Sequence, residues 1–148
     1  MKASKEAFNL IKGSRVLSLE PFFNYKGTKV IGFEEPYTLI QRERITRKEA
    51  EAHLLESIRL KSKALTEFLK KAECYPINQN QFDALVSLSY DVSLTVIALS
   101  GLFNDLYKGN YISAQAKFRI WSRYKKQPVY RLIKARKMEM ELFKESIT

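Results

Sequence analysis

A single cysteine, Cys74, excludes an internal disulfide, and a single histidine, His53, with no second imidazole or thiol partner excludes a Cys/His zinc site. Packing alone must therefore stabilise the fold, and neither a metal nor any other cofactor is expected. Long apolar runs are also missing. The best, Leu94 to Phe103, is broken by Thr95, Ser100 and Gly101 and falls short of the roughly 20 residues a membrane span needs. The N-terminus MKASKEAFNLIKG places Glu6 and Asn9 where a secretion signal needs an unbroken apolar segment. The expectation is a chain with no conventional signal peptide, cytoplasmic before any export or lysis. Acidic residues are absent from Tyr107 to Met138, a stretch holding ten Lys and Arg within a chain of net charge +10. That one-sided field favours an anionic partner: cell-wall polymer, nucleic acid, acidic lipid or acidic protein.

What is present suffices for a core: 148 residues, 45% of them hydrophobic and 28% charged, as in an ordinary globular chain. Ser4 to Lys12 carries Ala7, Leu10 and Ile11 at helical spacing, with Gly13 as the expected stop. From Val16 to Ile40 the apolar period shortens to that of strands, predicting a small antiparallel sheet whose first hairpin turns near NYKG, Asn24 to Gly27. Thr46 and Glu49 form a capping box ahead of Ala50, Leu54, Leu55, Ile58, Leu65, Phe68 and Leu69, predicting one long helix to about Lys71. Pro76 ends that segment, and Asn78 with Gln81 opens the next helix. Further helices are expected over 94–107, ended by Gly109, over 112–122, and over 128–144 with Pro128 in the first turn. The predicted class is α+β, mostly α: one domain over 1–148. Its N-terminal lobe covers about 14–45, its connecting helix about 46–72, and an all-helical C-terminal lobe about 77–145, packed with helix 4–12.

Four segments carry a family resemblance: QNQFDALVSLSYDVS, Gly109 to Ala114, Phe118 to Trp121, and Arg136 to Glu139 in LIKARKMEMELF. With the LIK opening and the ITRKEAEAHL helix start, they resemble phage-type lysozymes of glycoside hydrolase family 24. That family's helical lobe carries a QxxFDALVSFxFNVG-like helix, a G-x-Y-x-x-A connection, a Phe-x-x-Trp pair and an Arg-x-x-Glu helix. The resemblance implies a lysozyme-like two-lobed fold and an endolysin or muramidase ancestry, phage or prophage. It also implies a catalytic Glu, eight residues, an Asp, five residues and a Thr in a T-I-G-x-G-H strand. Glycoside cleavage needs a protonated carboxyl at the leaving oxygen and, for inversion, a group holding water on the opposite face.

In ungapped register those positions are Arg15, Asn24 and Val30, and the strand's Gly-His becomes Glu34 and Glu35. Arginine stays charged and is a poor proton donor, asparagine is no base, and valine lacks a hydroxyl. The expectation is therefore a pseudoenzyme with no catalytic residue, binding peptidoglycan or an unidentified protein through its inherited cleft or a lobe face. The alternative is an atypical muramidase whose relocated carboxylates come from Glu20, Glu34 and Glu35; against it, these read as solvated turn residues. Arg15 is expected to pair with a local carboxylate such as Glu20, Glu34 or Glu35, the other reading being a new anion- or partner-binding residue at the base of the old cleft. The third expectation, a nucleic-acid or acidic-surface binder, rests on charge alone, with Tyr124, Lys125, Lys126, Tyr130, Arg131 and Lys134 as candidate binding residues. Phe118 and Trp121 are expected in the core, Cys74 as a packed thiol, and His53 at a helix boundary or surface.

Overall fold

The computed structural model describes residues 1–73 and 76–145, so the expected packing of Cys74 lies outside the described residues. Helix α1, Lys5–Ser14, is N-capped by Ser4, whose hydroxyl accepts from the Glu6 N–H. It runs through Gly13 rather than stopping there, and Arg15 closes it by donating its N–H to Ile11 O at 3.0 Å. A Cβ at Gly13 would meet only the Met138 Cε, at 3.4 Å, an ordinary contact distance.

Strands β1 (Ser18–Phe23), β2 (Lys29–Gly32) and β3 (Glu35–Pro36) form an antiparallel sheet in that order. The register slips between Ser18 and Phe22, across Pro21, which has no N–H for the ladder. The β1–β2 turn falls at NYKG, where Asn24 Oδ1 accepts from Lys26 and Thr28 N–H, at 2.9 and 3.0 Å, and Gly27 takes φ +75°. A single turn, α2 (Tyr37–Ile40), follows.

The capping box Thr46–Glu49 forms as expected and starts α3, Arg47–Lys71. Ala50, Leu54, Ile58, Ser62 and Leu65 recur every three or four residues and are buried. Helix α4, Gln79–Asp91, is buried continuously from Gln81 to Leu88 and packs against α1, α3 and α8. A helix enclosed on all sides forces its polar members to find partners inside the protein.

Two sequence expectations for the C-terminal lobe change. The 94–107 helix is two, α5 (Leu94–Leu99) and α6 (Leu102–Tyr107), because Gly101 at φ +89° reverses the chain between them. The lobe is not entirely helical either. After α7 (Tyr111–Lys117) and a 3₁₀ turn (Phe118–Trp121), β4 (Arg123–Tyr124) and β5 (Gln127–Pro128) make a ribbon. Pro128 belongs to that ribbon, and α8 begins at Tyr130 and runs to Glu145. Lys125 and Lys126 both take left-handed φ, 50° and 67°, which a two-residue hairpin turn requires. Phe118 is fully buried, Trp121 packs at the core's margin, and His53 is half-buried. Among the described residues no helix is long and apolar enough to cross a membrane. The architecture is the expected α+β, mostly α: a small sheet, a long helix and a largely helical lobe.

Candidate functional site

Arg15 leaves the end of α1 pointing at the faces that α4 and α8 present to it. On α4, Ser87 and Asp91 lie four residues apart on one side; on α8, Arg136 and Glu139 lie three apart. These five side chains meet. Arg15 Nη1 donates to Ser14 Oγ at 2.6 Å and Ser87 Oγ at 3.0 Å, while Nη2 donates to Ser87 O at 2.7 Å and Asp91 Oδ2 at 2.8 Å. Glu139 Oε2 lies 3.5 Å from Nη2, and the Arg15 side chain is wholly enclosed. Its Nε is buried without a hydrogen-bond partner among the described residues.

Two further guanidiniums complete the cluster. Arg136 donates to Glu139 Oε1 and Asp91 Oδ2, both at 2.6 Å, and to Trp121 O at 3.2 Å. Arg131 grips both Asp91 oxygens, at 2.7 and 2.8 Å, and donates through Nε to Glu34 Oε2 at 2.7 Å. Three cations thus face three carboxylates, Asp91, Glu139 and Glu34, and Asp91 Oδ2 accepts from all three arginines. Burial alone would raise the Asp91 pKa; Arg15, Arg131 and Arg136 outweigh it and hold that carboxyl below the usual range. Burial likewise pulls Arg15 down from its ordinary value against Asp91 and Glu139. The expected pairing of Arg15 with Glu20, Glu34 or Glu35 is therefore corrected: its partners come from α4 and α8, because α1 packs on those helices rather than on the sheet.

The three hairpin carboxylates part company. Glu20 is exposed and pairs with Arg44 at 2.6 Å. Glu34 sits in a left-handed turn, φ 62°, where the family strand carries glycine. Holding a non-glycine residue there costs roughly 1–2 kcal/mol. Its carboxylate opposes that cost by accepting from Val16 N–H at 3.0 Å and from Arg131. Glu35 is not a solvated turn residue: only 5% exposed, it accepts from Ser57 Oγ at 2.7 Å and from Tyr90 OH, which also donates to Phe33 O at 2.7 Å. Burial first, then Glu35, push the Tyr90 phenol well above its ordinary pKa. Val30 is buried in the sheet, and Asn24 is occupied in its own turn.

The β1–β2 hairpin tip and the β4–β5 ribbon meet beside this cluster. Tyr25 at the hairpin tip meets Tyr124 of the ribbon edge-on, ring centroids 5.5 Å apart, and Arg131 Cζ lies 5.8 Å from the Tyr25 ring centroid. Between Asn24, Glu34, Tyr90, Asp91 and Arg131 a cavity of about 70 Å³ remains, and a larger one of about 370 Å³ is lined by Tyr25, Tyr124, Asp91, Trp121 and Arg136. Ligand pockets run to roughly 300–1,000 Å³, so the smaller cavity is below that range and the larger at its low end.

The candidate binding residues divide accordingly. Arg131 and Tyr124 are partly buried, Arg131 held by Asp91 and Glu34 and Tyr124 in edge-on contact with Tyr25. Lys125, Lys126, Lys134 and Tyr130 are exposed, Tyr130 at 80%. The structure does not bring Lys125 and Lys126, at the ribbon tip, into one ion-pair cluster with Arg131. Sequence reading missed Asp91 and Tyr90. The signal was there: the helix motif carries Asn and Phe where this chain has Asp91 and Tyr90. Asp91 supplies the charge that Arg15 needs, and Tyr90 the hydroxyl that Glu35 needs.

Comparison with known proteins agrees with the fold. Residues 16–139 match the family described as Phage lysozyme. An endolysin of Acyrthosiphon pisum secondary endosymbiont phage 1 is 32% identical over 150 residues, covering 99% of this chain and 100% of that protein. Among solved structures, the endolysin from Escherichia coli O157:H7 phage FAHEc1 superposes with a TM-score of 0.77 at 26% identity, covering 97% of this chain and 93% of its own. The muramidase domain of SpmX from Asticaccaulis excentricus gives 0.80 at 26%, covering 96% and 97%. Matched over most of its length by the family and along its whole length by an endolysin, the chain belongs to the phage lysozyme family.

Proposed function

We propose that this chain is a non-hydrolytic phage-lysozyme homologue that serves as a binding module for peptidoglycan or a protein partner, using a lobe face rather than the inherited cleft. One observation carries the reading: where the family resemblance expects a proton donor, Arg15 is fully enclosed and committed to Ser14, Ser87 and Asp91. A guanidinium does not deprotonate at physiological pH, so it hands no proton to a leaving oxygen. Losing general acid catalysis alone forfeits roughly 10²- to 10⁴-fold in rate. The Tyr25–Tyr124 contact and the Arg131 bridge support the same reading, since a glycan strand needs a continuous groove. Relocated carboxylates are a weaker basis for turnover, because Glu34 and Glu35 are engaged by Arg131, Ser57 and Tyr90 and Glu20 is paired at the surface. Family membership supports peptidoglycan as the ligand class.

Purified sacculi test both halves. The expected result is no release of new reducing ends over hours, with co-sedimentation of the protein at low salt. Release abolished by Glu34→Gln or Glu35→Gln would overturn the non-hydrolytic half. Absence of co-sedimentation would remove peptidoglycan and leave the protein partner.

A further inference from the structure

A second concavity, about 670 Å³, opens between α7, the 3₁₀ turn, the ribbon and α8, and every residue lining it falls within 115–144. It includes no residue of the β1–β2 hairpin and shares only Arg136 with the Arg15 cluster. One wall is a stripe along α8, Ile133, Lys137, Met140 and Lys144, spaced by four, three and four and therefore on one helix face. The other wall carries Arg119 and Arg123. Arg119, Arg123, Lys137 and Lys144 are exposed, and among the described residues no ion pair holds any of their side chains. Glu141 is the carboxylate in the lining. The apolar floor is Ile133, 42% exposed, and Met140. Gln115 Nε2 donates to Met140 O at 2.9 Å, tying α7 to α8 so that the groove stands ready before any ligand arrives.

A cationic rim over an apolar floor specifies its ligand. Single-stranded nucleic acids bind on aromatic stacking faces, and among the described residues no aromatic side chain lines this groove. A peptide presenting carboxylates at its edges and one or two aliphatic side chains at its centre satisfies both features. From Ile133 to Lys144 the stripe spans about 16 Å, the length of three helical turns. We propose that this face binds an acidic amphipathic helical segment of a partner protein, its Asp and Glu side chains meeting the four cations and its leucine-like anchors resting on Ile133 and Met140. The inference names the partner chemistry for the protein-binding half of the proposed function and needs none of the inherited cleft. Because its test reads no turnover, it can fail independently of the non-hydrolytic reading.

The probe is a fluorescein-labelled 14-residue peptide of Glu, Ala and Leu with leucines at helical spacing, titrated with the full chain at about 50 mM NaCl and followed by anisotropy. Saturable binding at micromolar concentration is expected. Arg119→Glu with Lys137→Glu should weaken it by about 30-fold at low salt, less at 0.5 M NaCl. Lys125→Glu with Lys126→Glu, at the ribbon tip, should change it by less than about 3-fold, and Ile133→Ala should weaken it by about 10-fold whatever the salt. All these side chains are exposed, and circular dichroism checks that each variant is folded. No saturation by about 1 mM, a loss under about 3-fold from the groove reversal, or an equal loss from the ribbon pair would overturn the proposal. So would tighter binding of a 14-nucleotide DNA strand that the groove reversal weakens equally, since the face would then read polyanion charge.

Discussion

Asp91→Asn removes the one negative charge on which three arginines converge while keeping the side chain's shape. In the native protein Asp91 Oδ2 accepts at 2.8, 2.7 and 2.6 Å from Arg15, Arg131 and Arg136, and Oδ1 accepts at 2.8 Å. After the change, three buried guanidiniums face only Glu34 and Glu139, and Asn turns an N–H toward a donor. Breaking a buried ionic cluster from one side costs about 3–5 kcal/mol. With a urea m-value of roughly 1–3 kcal/mol/M, the unfolding midpoint should fall by about 2 M. Arg15→Met in the Asp91→Asn background should then cost much less than alone, with a coupling of about 1.5 kcal/mol or more. The pH dependence gives an independent sign. Burial raises the Asp91 pKa, but the arginines bring it below its unfolded value of about 3.9. Its contribution is therefore complete above about pH 4 and lost as pH falls through the lower folded value, so Asp91→Asn should flatten the acid limb of the stability profile. Chemical unfolding by circular dichroism at several pH values measures all three effects. A loss under about 1 kcal/mol, an additive double variant, or an unchanged acid limb would show that the cluster does not act as a unit.

Tyr90→Phe should cost about 1–3 kcal/mol by leaving Glu35 with fewer donors. Because Tyr90 has a raised pKa, wild type should lose its contribution as pH rises beyond about 10, and the variant should not, as urea unfolding at pH 8 and above would report. Tyr25→Ala removes the edge-on contact with Tyr124 and should lower stability by about 2 kcal/mol in the same assay. Lys125→Asn with Lys126→Gly should move the other way, raising stability by about 1–2 kcal/mol, because both positions are held at left-handed φ.

Local chemistry was legible wherever it was self-contained. Thr46 with Glu49, Asn78 with Gln81 and the Asn24–Gly27 turn each place donor and acceptor within four residues, so composition alone located them. What failed locally depended on distant neighbours or on strained backbone. Gly13 lies inside α1, a helix packed on α4 and α8, elements distant in the chain. The ribbon was invisible because its turn uses two lysines where Asn-Gly would have announced it.

At the site, the family motif pointed to positions 15, 24 and 30, whereas only the fold reveals what surrounds them. Arg15 and Asp91 are 76 positions apart, and Glu35 and Tyr90 are 55 apart. Each pair unites a position that departs from the hairpin pattern with one that departs from the α4 pattern. A buried cation that loses a counter-charge costs several kcal/mol, so Arg15 would sit at the end of α1 far less stably had α4 kept the motif's asparagine. Arg131 adds the second constraint. By holding Glu34 on the sheet side and Asp91 on α4 at once, it couples the charge balance of the cluster to the sheet. A carboxylate put back at position 15 would face Asp91 and Glu139 rather than a sugar. On the proposed non-hydrolytic reading, Arg15→Glu alone should leave sacculi intact, because an acid at position 15 would still face the carboxylates of Asp91 and Glu139.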